Sequence, residues 1–436
     1  MKHALMILDH FPPSFAPRMG YLAKYMKEMG WDARVFSVTH STDTAKFDNL
    51  VGFVRAEVVP MPMYCNNHSF NRLTTEVLGM IKGGKCWSMN DDRMYKHIIK
   101  SIKGEKYDLV ICSTASFFPL FTSLRVAQTM GLPLILDFRD IYEQDPYMYP
   151  RKGAAGLLRR MQIGMRNRII THAAAVTTVS EWHKNLLVAY NENTHLIFNG
   201  FDNELFYPHT NTDRLSSFVI GYTGSVSPTN CEGSRNPEIL FDAVQRLSAE
   251  GIIEPKKFAI HFYTDDVSKN YLRSTAEKYG IADYVKIYQW IAANEVPSVL
   301  SKCSILLVLV AACNTNGVMT TKIFEYLAMG RTTICVPNNN SPVAKLISDA
   351  KAGKSFDNSN ELYLYLIDKY NEWKINRRIK CHTDMDYVAQ FSRQKQAKQF
   401  VKIFEQAVEK KHNPKSPDTQ HNKNKKEKKS MIFYLK

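Results

Sequence analysis

Thr320-Thr321-Lys322-Ile323-Phe324-Glu325-Tyr326-Leu327-Ala328-Met329-Gly330 holds more structural information than any other stretch of this 436-residue chain. It follows the apolar run Ile305–Val310 after a polar loop containing Asn and Gly, a succession that reads as buried strand, loop and helix. Two threonines mark the helix start and Gly330 its stop. At helical spacing Ile323, Phe324 and Leu327 are expected to face a core, while Glu325 leans toward the carboxyl end of the preceding strand. The free N–H groups and positive dipole end at such a start, with the charge of Lys322, form an anion site. Glu325 there can accept from paired hydroxyls such as those of a ribose.

Working outward, short β-rich runs alternate with helical patterns along the whole chain, the signature of parallel sheets built from βαβ units. Strands are predicted at Ala4–Leu8, Arg34–Val38, Leu109–Ser113, Leu134–Phe138, Ala175–Val179 and Leu196–Phe198. The series restarts at Phe218–Tyr222 and continues through Ala259–Tyr263, Val285–Tyr288, Ile305–Val310 and Thr333–Val336. Between the two series, Asn199-Gly200, Pro208 and a polar stretch break both periodicities. The expectation is an α/β protein of two Rossmann-like doubly wound sheets facing a central cleft, the first unit at 1–200 and the second at 201–385. A helix over 386–410, with Val388, Phe391, Ala397, Phe400, Val401 and Phe404 as its apolar stripe, precedes a basic tail at 411–436.

Composition narrows the class. With 44% hydrophobic and 23% charged residues the chain has the makeup of a globular protein. No apolar run reaches the roughly 20 residues that cross a bilayer. Met1 to Asp9 reads as a buried strand rather than a signal peptide, and the eight scattered cysteines favour neither zinc nor a disulfide framework, so a cytoplasmic setting is expected. Of the +15 formal charge, residues 410–430 carry +6, a lysine-rich stretch expected to be disordered. That distribution, and the lack of an aromatic-basic single-strand motif, disfavours a nucleic-acid partner.

A second anion site is read upstream. The strand Phe218–Tyr222 runs into Thr223-Gly224-Ser225, and Arg235 stands just before Pro237-Glu238, the first turn of an amphipathic helix. Gly224 allows close backbone approach. This is neither a Walker loop nor a G-x-G-x-x-G turn. Two basic helix starts in one unit suit a diphosphate. Asp265-Asp266 is read as a turn after a strand, because one vicinal pair gives too few ligands for a hard cation.

The order of these features resembles the glycosyltransferase family 4 group of the GT-B fold. The carriers are Asn199-Gly200-Phe201-Asp202, the glycine turn at Gly224, Lys322 to Gly330, His10-Phe11-Pro12-Pro13 with the following helix, and Asp137-Phe138-Arg139-Asp140. The resemblance spans about residues 4 to 410 and implies that the last helix crosses back to brace the N-terminal unit. It implies a metal-independent, retaining transfer of sugar from a nucleotide diphosphate sugar to a glycan or lipid-linked acceptor, with no cofactor, plausibly for a bacterial surface polysaccharide. Glu325 would hold the donor ribose, Arg235 and Lys322 would neutralise the leaving diphosphate, and Gly224 with Ser225 would bring amides to the phosphates. Asn316, Gly317, Val318 and Met319 would supply amides around the donor sugar, and Thr320 and Thr321 complete the donor set. Two positions depart from the group's pattern. Gly317 stands where a glutamate eight residues before Glu325 is common, and Ser225-Val226 where an Arg often follows the glycine turn. Gly317 motivates a rival reading as a catalytically silent nucleotide- or partner-binding subunit.

On the acceptor side Asp140 is a candidate catalytic group, with Arg139 beside it at a strand end and with Pro13 and Arg18 in the loop after the first strand. An internal Arg–Asp pair fixing that loop is the competing reading of Arg139 and Asp140. Between Tyr149 and His172, Arg151, Lys152, Arg159, Arg160, Arg166 and Arg168 lie among apolar residues. Such a helix either rests on an anionic membrane surface or packs on its own sheet with a solvated cationic face.

Overall fold

The computed structural model describes residues 1–13, 17–38, 47–60, 89–115, 117–144, 153–208, 215–227, 235–310, 317–337 and 340–412. Asn316, Arg151, Lys152 and the tail from 413 onward lie outside the described residues.

Seven parallel strands form the first sheet: β1 (Lys2–Leu8), β2 (Trp31–Val38), β3 (Arg55–Val59), β4 (Leu109–Thr114), β5 (Leu134–Phe138), β6 (Ala175–Thr178) and β7 (Thr194–Leu196). Their order is β3-β2-β1-β4-β5-β6-β7. Six form the second: β8 (Phe218–Thr223), β9 (Phe258–Thr264), β10 (Val285–Gln289), β11 (Ile305–Leu309), β12 (Thr332–Val336) and β13 (Gly353–Ser355), ordered β10-β9-β8-β11-β12-β13. Every predicted strand is present within a few residues. The edge strands β3 and β13 went unread: β3 buries only Val59, and β13 is three residues long.

The first half carries helices α1 (Pro17–Met26), α2 (Met89–Ser101), α3 (Leu120–Met130), α4 (Gly153–Thr171) and α5 (Glu181–Leu187). The second carries α6 (Glu238–Ala249), α7 (Asp266–Lys278), α8 (Val296–Leu300), α9 (Thr321–Ala328), α10 (Pro342–Asp349) and α11 (Ser359–Asn376), followed by α12 (Met385–Ala389) and α13 (Arg393–His412). None of the described helices is long and apolar enough to cross a membrane. In each sheet the strand order reverses between the first and fourth strands, β1/β4 and β8/β11, and ligands of open α/β sheets collect at the carboxyl ends there.

The helix expected as one piece over 386–410 is two. It breaks at Gln390–Ser392 because that segment bonds to the linker: Phe201 N–H donates to the Phe391 carbonyl (3.2 Å) and Arg393 N–H to the Phe201 carbonyl (2.8 Å). A side chain at Gly200 would place its Cβ 1.9 Å from that same Phe391 oxygen, so only glycine lets the strands of chain approach. Beyond the break, α13 packs on α1 and adds Ala397, Phe400, Phe404 and Ala407 to the core under β1. Asp265-Asp266 is a helix start rather than a free turn. Asp265 caps α7 by accepting from Ser268 N–H at 2.9 Å, and Asp266 pairs with Lys269.

Candidate active site between the two sheets

Both switch points open into one cavity of about 560 Å³. Its C-terminal wall contains Gly224, Ser225, Arg235, Val318, Met319, Thr320, Thr321, Lys322 and Glu325, and its N-terminal wall Arg18, Arg139, Asp140 and Gln144. A larger depression of about 960 Å³ lies on the outer surface between α10, β13 and α11, and none of the predicted site residues lines it.

On the C-terminal side the local fold follows the reading of α9 closely. Ile323, Phe324, Tyr326, Leu327 and Ala328 are buried, and Gly330 ends the helix in the left-handed region at φ 61°. Thr320 occupies the N-cap position, but its side chain makes no capping bond. Tyr326 had drawn no attention in the sequence; its buried hydroxyl accepts from Thr223 N–H at 3.0 Å and fastens α9 to the end of β8. The next residue, Gly224, has φ 133°, and a Cβ there would lie 1.7 Å from Lys322 Nζ. The glycine therefore makes room for the ammonium, which also sits 4.8 Å from the Tyr222 ring centroid. Arg235 precedes α6 and is held by its backbone to Ser227, its N–H donating to Ser227 Oγ at 3.0 Å. Burial pushes the Glu325 carboxyl up to about 6, against the pull of Arg393 and Lys322.

The N-terminal arginines are already engaged. Arg18 Nε and Nη2 grip Asp137 at 3.1 and 3.0 Å, and its Nη groups donate to the carbonyls of Ile197 and Phe198. It lines the cavity, yet most of its donors tie β5 to the linker. Arg139 Nη2 donates to both oxygens of Asp9 at 2.6 and 2.7 Å, so the internal pair is Arg139–Asp9 rather than Arg139–Asp140. Asp140 stands in the open cleft, accepting from Gln144 at 3.0 Å. Desolvation by the surrounding walls pushes its carboxyl up to about 6, an effect that solvent in the cleft partly screens. Gln144 continues to buried His183 (2.6 Å), whose other ring nitrogen meets Thr178. Pro13 is exposed and outside the lining, whereas its neighbour Pro12 is buried beside Gly20.

Gly317 does not line the cavity either. A Cβ there would come within 2.8 Å of both His183 Nε2 and Trp182, residues of the opposite half. No carboxylate side chain fits at this position in the observed arrangement.

No curated protein matches this chain. Solved structures of similar shape include HepE of Anabaena in complex with UDP, at a TM-score of 0.64 and 15% identity over 93% of this chain and 100% of that one. Sucrose-phosphate synthase of Thermosynechococcus elongatus gives 0.66 at 12% over 93% and 99%, and the apo lipopolysaccharide outer core galactosyltransferase WaaB 0.58 at 13% over 93% and 99%. Residues 18–205 match the family model described as Glycosyltransferase Family 4. The two-sheet architecture is the GT-B fold, and its N-terminal unit is similar to Glycosyltransferase Family 4.

One charged residue of the cavity, Arg393, carries no signal in the sequence. It opens α13, is 2% exposed, and reaches the lining beside Glu325. Its Nη1 donates to Gln396 at 3.0 Å and its guanidinium lies 5.0 Å from the Tyr21 ring, while Nε makes no hydrogen bond. Burial lowers its pKa to about 10. Among the described residues no three His, Cys, Asp or Glu side chains gather as a metal site.

Proposed function

We propose that this glycosyltransferase transfers a sugar from a nucleoside-diphosphate donor, seated mainly on residues 201–385, to a glycan or lipid-linked acceptor that enters along residues 1–200, with retention and without a metal ion. The observation that carries this reading is the convergence of Arg235, Lys322 and Glu325 on one cavity between the sheets. HepE, of similar fold, has been solved with UDP and with UDP-glucose, which supports a nucleotide-sugar donor here.

As the bond from the anomeric carbon to the diphosphate breaks, negative charge builds on the leaving oxygen. Lys322, Arg235 and the N-terminal dipole of α9 supply fixed positive potential there, and groups already in place need no reorganisation as the charge develops. Amides near Gly224, Val318 and Met319 would meet phosphate and sugar oxygens, and Glu325 would accept from the ribose hydroxyls. Asp140, held by Gln144, is the acid–base candidate facing the acceptor, because a carboxyl displaced toward neutrality exchanges protons readily near physiological pH. His183 and Trp182 fill the space beside Gly317, so the glutamate common in the family has no room at this position.

The experiment is a screen of nucleotide sugars for released nucleoside diphosphate, with Glu325→Ala as control. Release from at least one donor, reduced ten-fold or more in the variant, is expected; no release from any donor, with the folded protein at high concentration, refutes transferase activity.

A membrane-proximal acceptor fits the outer face of α4. Arg159 and Arg166 turn inward, Arg159 to the Tyr142 carbonyl and Arg166 to Glu143 at 2.8 Å, whereas Leu157, Arg160, Met161 and Arg168 are exposed. Exposed cations beside Leu157 and Met161 suit an anionic lipid surface, on the inner face of the membrane if the acceptor is a surface-glycan intermediate. Co-sedimentation with vesicles of anionic phospholipid at low salt tests this, and absence of binding removes it.

A further inference from the structure

The cavity floor joins two charged side chains from elements far apart in sequence, Glu325 on α9 and Arg393 at the start of α13. Neither forms an ion pair or finds a complete set of partners among the described residues. Arg393 keeps only the Gln396 bond and the Tyr21 ring, and its Nε is without a hydrogen bond although buried. The Glu325 carboxylate accepts no hydrogen bond from any described residue, and the Arg393 charge is the strongest influence opposing its burial, ahead of Lys322. A buried guanidinium without a touching carboxylate is costly, and so is a desolvated carboxylate without donors. Here the two stand near enough to feel each other yet apart, an acceptor-only group and a donor-only group bordering the same space.

The sign of the charges sorts what can bind where. Lys322 and Arg235 share the cavity with the N-terminus of α9, a positive region that suits phosphate. One turn further along α9, the Glu325 carboxylate would repel an anion, while Arg393 would disfavour a cation. A neutral hydroxylated group satisfies both, because each hydroxyl gives a proton to the carboxylate and offers lone pairs to the guanidinium.

Resting on the donor reading above, we propose that Arg393 is a second ligand for the vicinal diol of the donor ribose, donating to the hydroxyl oxygens whose protons Glu325 accepts. The crossing helix is then part of the donor site as well as a brace. Its attachment to the hinge through Arg393 N–H and the Phe201 carbonyl (2.8 Å) links diol recognition to the joint between the two halves.

The test is calorimetric titration of the full chain with UDP, GDP and ADP. The tightest ligand is then compared with its 2′,3′-dideoxy counterpart in the wild type, Arg393→Met and Arg393→Lys. Arg393→Met should weaken the ribonucleotide by roughly ten-fold or more and leave dideoxynucleotide affinity within about two-fold, while Arg393→Lys, which keeps the buried cation if the methionine variant fails to fold, should retain part of the discrimination. Repeating the titrations across pH should show ribonucleotide binding in the wild type failing as pH falls through about 6, and failing at higher pH in Arg393→Met, since loss of the neighbouring cation makes Glu325 harder to ionise. That shift follows from the Arg393 charge alone, so the ribonucleotide-against-dideoxynucleotide comparison is what separates a diol ligand from a merely structural arginine. Equal weakening of both nucleotides would assign Arg393 to the phosphates and overturn the proposal, as would no weakening of either. A wild type that binds none of the diphosphates would instead sink the donor reading itself.

Discussion

The two walls of the cleft treat their arginines in opposite ways. On the N-terminal wall Arg18 and Arg139 are each neutralised by an internal carboxylate, Asp137 and Asp9, and Asp137 is further saturated by Ser113 and Thr177 hydroxyls at 2.7 Å. On the other side Arg235 makes no ion pair among the described residues, and at the junction of the two halves Arg393 is buried without one. A charge whose partner is built into the fold acts as framework, whereas a charge left facing a cavity is available to a ligand. The same residue type at comparable positions thus divides into scaffold and site according to what stands opposite it.

Substitutions can break this contrast. Asp137→Ala should be the most damaging, costing about 3–5 kcal/mol because it strands the buried Arg18 charge; denaturant unfolding measures it, and a loss below about 1 kcal/mol would mean that Arg18 is not held as described. Arg235→Ala should behave in reverse, leaving stability within about 0.5 kcal/mol while lowering kcat about 10²–10³-fold. Paired melting and turnover measurements check this, and a large stability loss would move Arg235 into the scaffold class. The smallest effect sharpens the comparison through pH. Because the folded-state pKa of Glu325 lies above its usual 4.5, near 6, its ionisation removes stability as pH rises from about 4.5 to about 6, and the loss is complete above that. Glu325→Gln should therefore melt slightly higher than wild type at pH 7 to 8, with the advantage disappearing below pH 4.5. An equal difference at both ends of that range would show that ionisation is not its source.

Much of this arrangement was readable from local pattern, and the unread parts share a physical reason. The α9 helix was legible because Ile323, Phe324 and Leu327 repeat at helical spacing before Gly330, and that spacing alone turns Lys322 and Glu325 to the cleft. Likewise Leu240, Phe241, Val244 and Leu247 placed α6, and with it Arg235. Arg18 lines the cleft, but its partner Asp137 is 119 positions away, a separation at which one chain carries no pairing signal. Arg393 was invisible for the same cause. Within Phe391-Ser392-Arg393-Gln394-Lys395 it looks like one more polar residue of an amphipathic helix, and only the docking of that helix against Tyr21 and the linker buries it. The break before it escaped notice because Phe391 and Ser392 suit a helix locally and leave it for bonds to Phe201. Gly317 looked like a loss in sequence and in space is a close contact with His183.

The return of α13 means that the N-terminal core is assembled from both ends of the polypeptide. Trp31 in β2 donates to Glu405 at 2.6 Å and packs edge-on against Phe404, and Lys2 reaches the same carboxylate. A ribosome must therefore finish the second sheet before the first can close, since Ala397, Phe400 and Phe404 emerge after it. A fragment cut after the first 200 residues would present bare apolar surface to water, so dissecting this protein into halves calls for supplying 393–412 alongside the first piece.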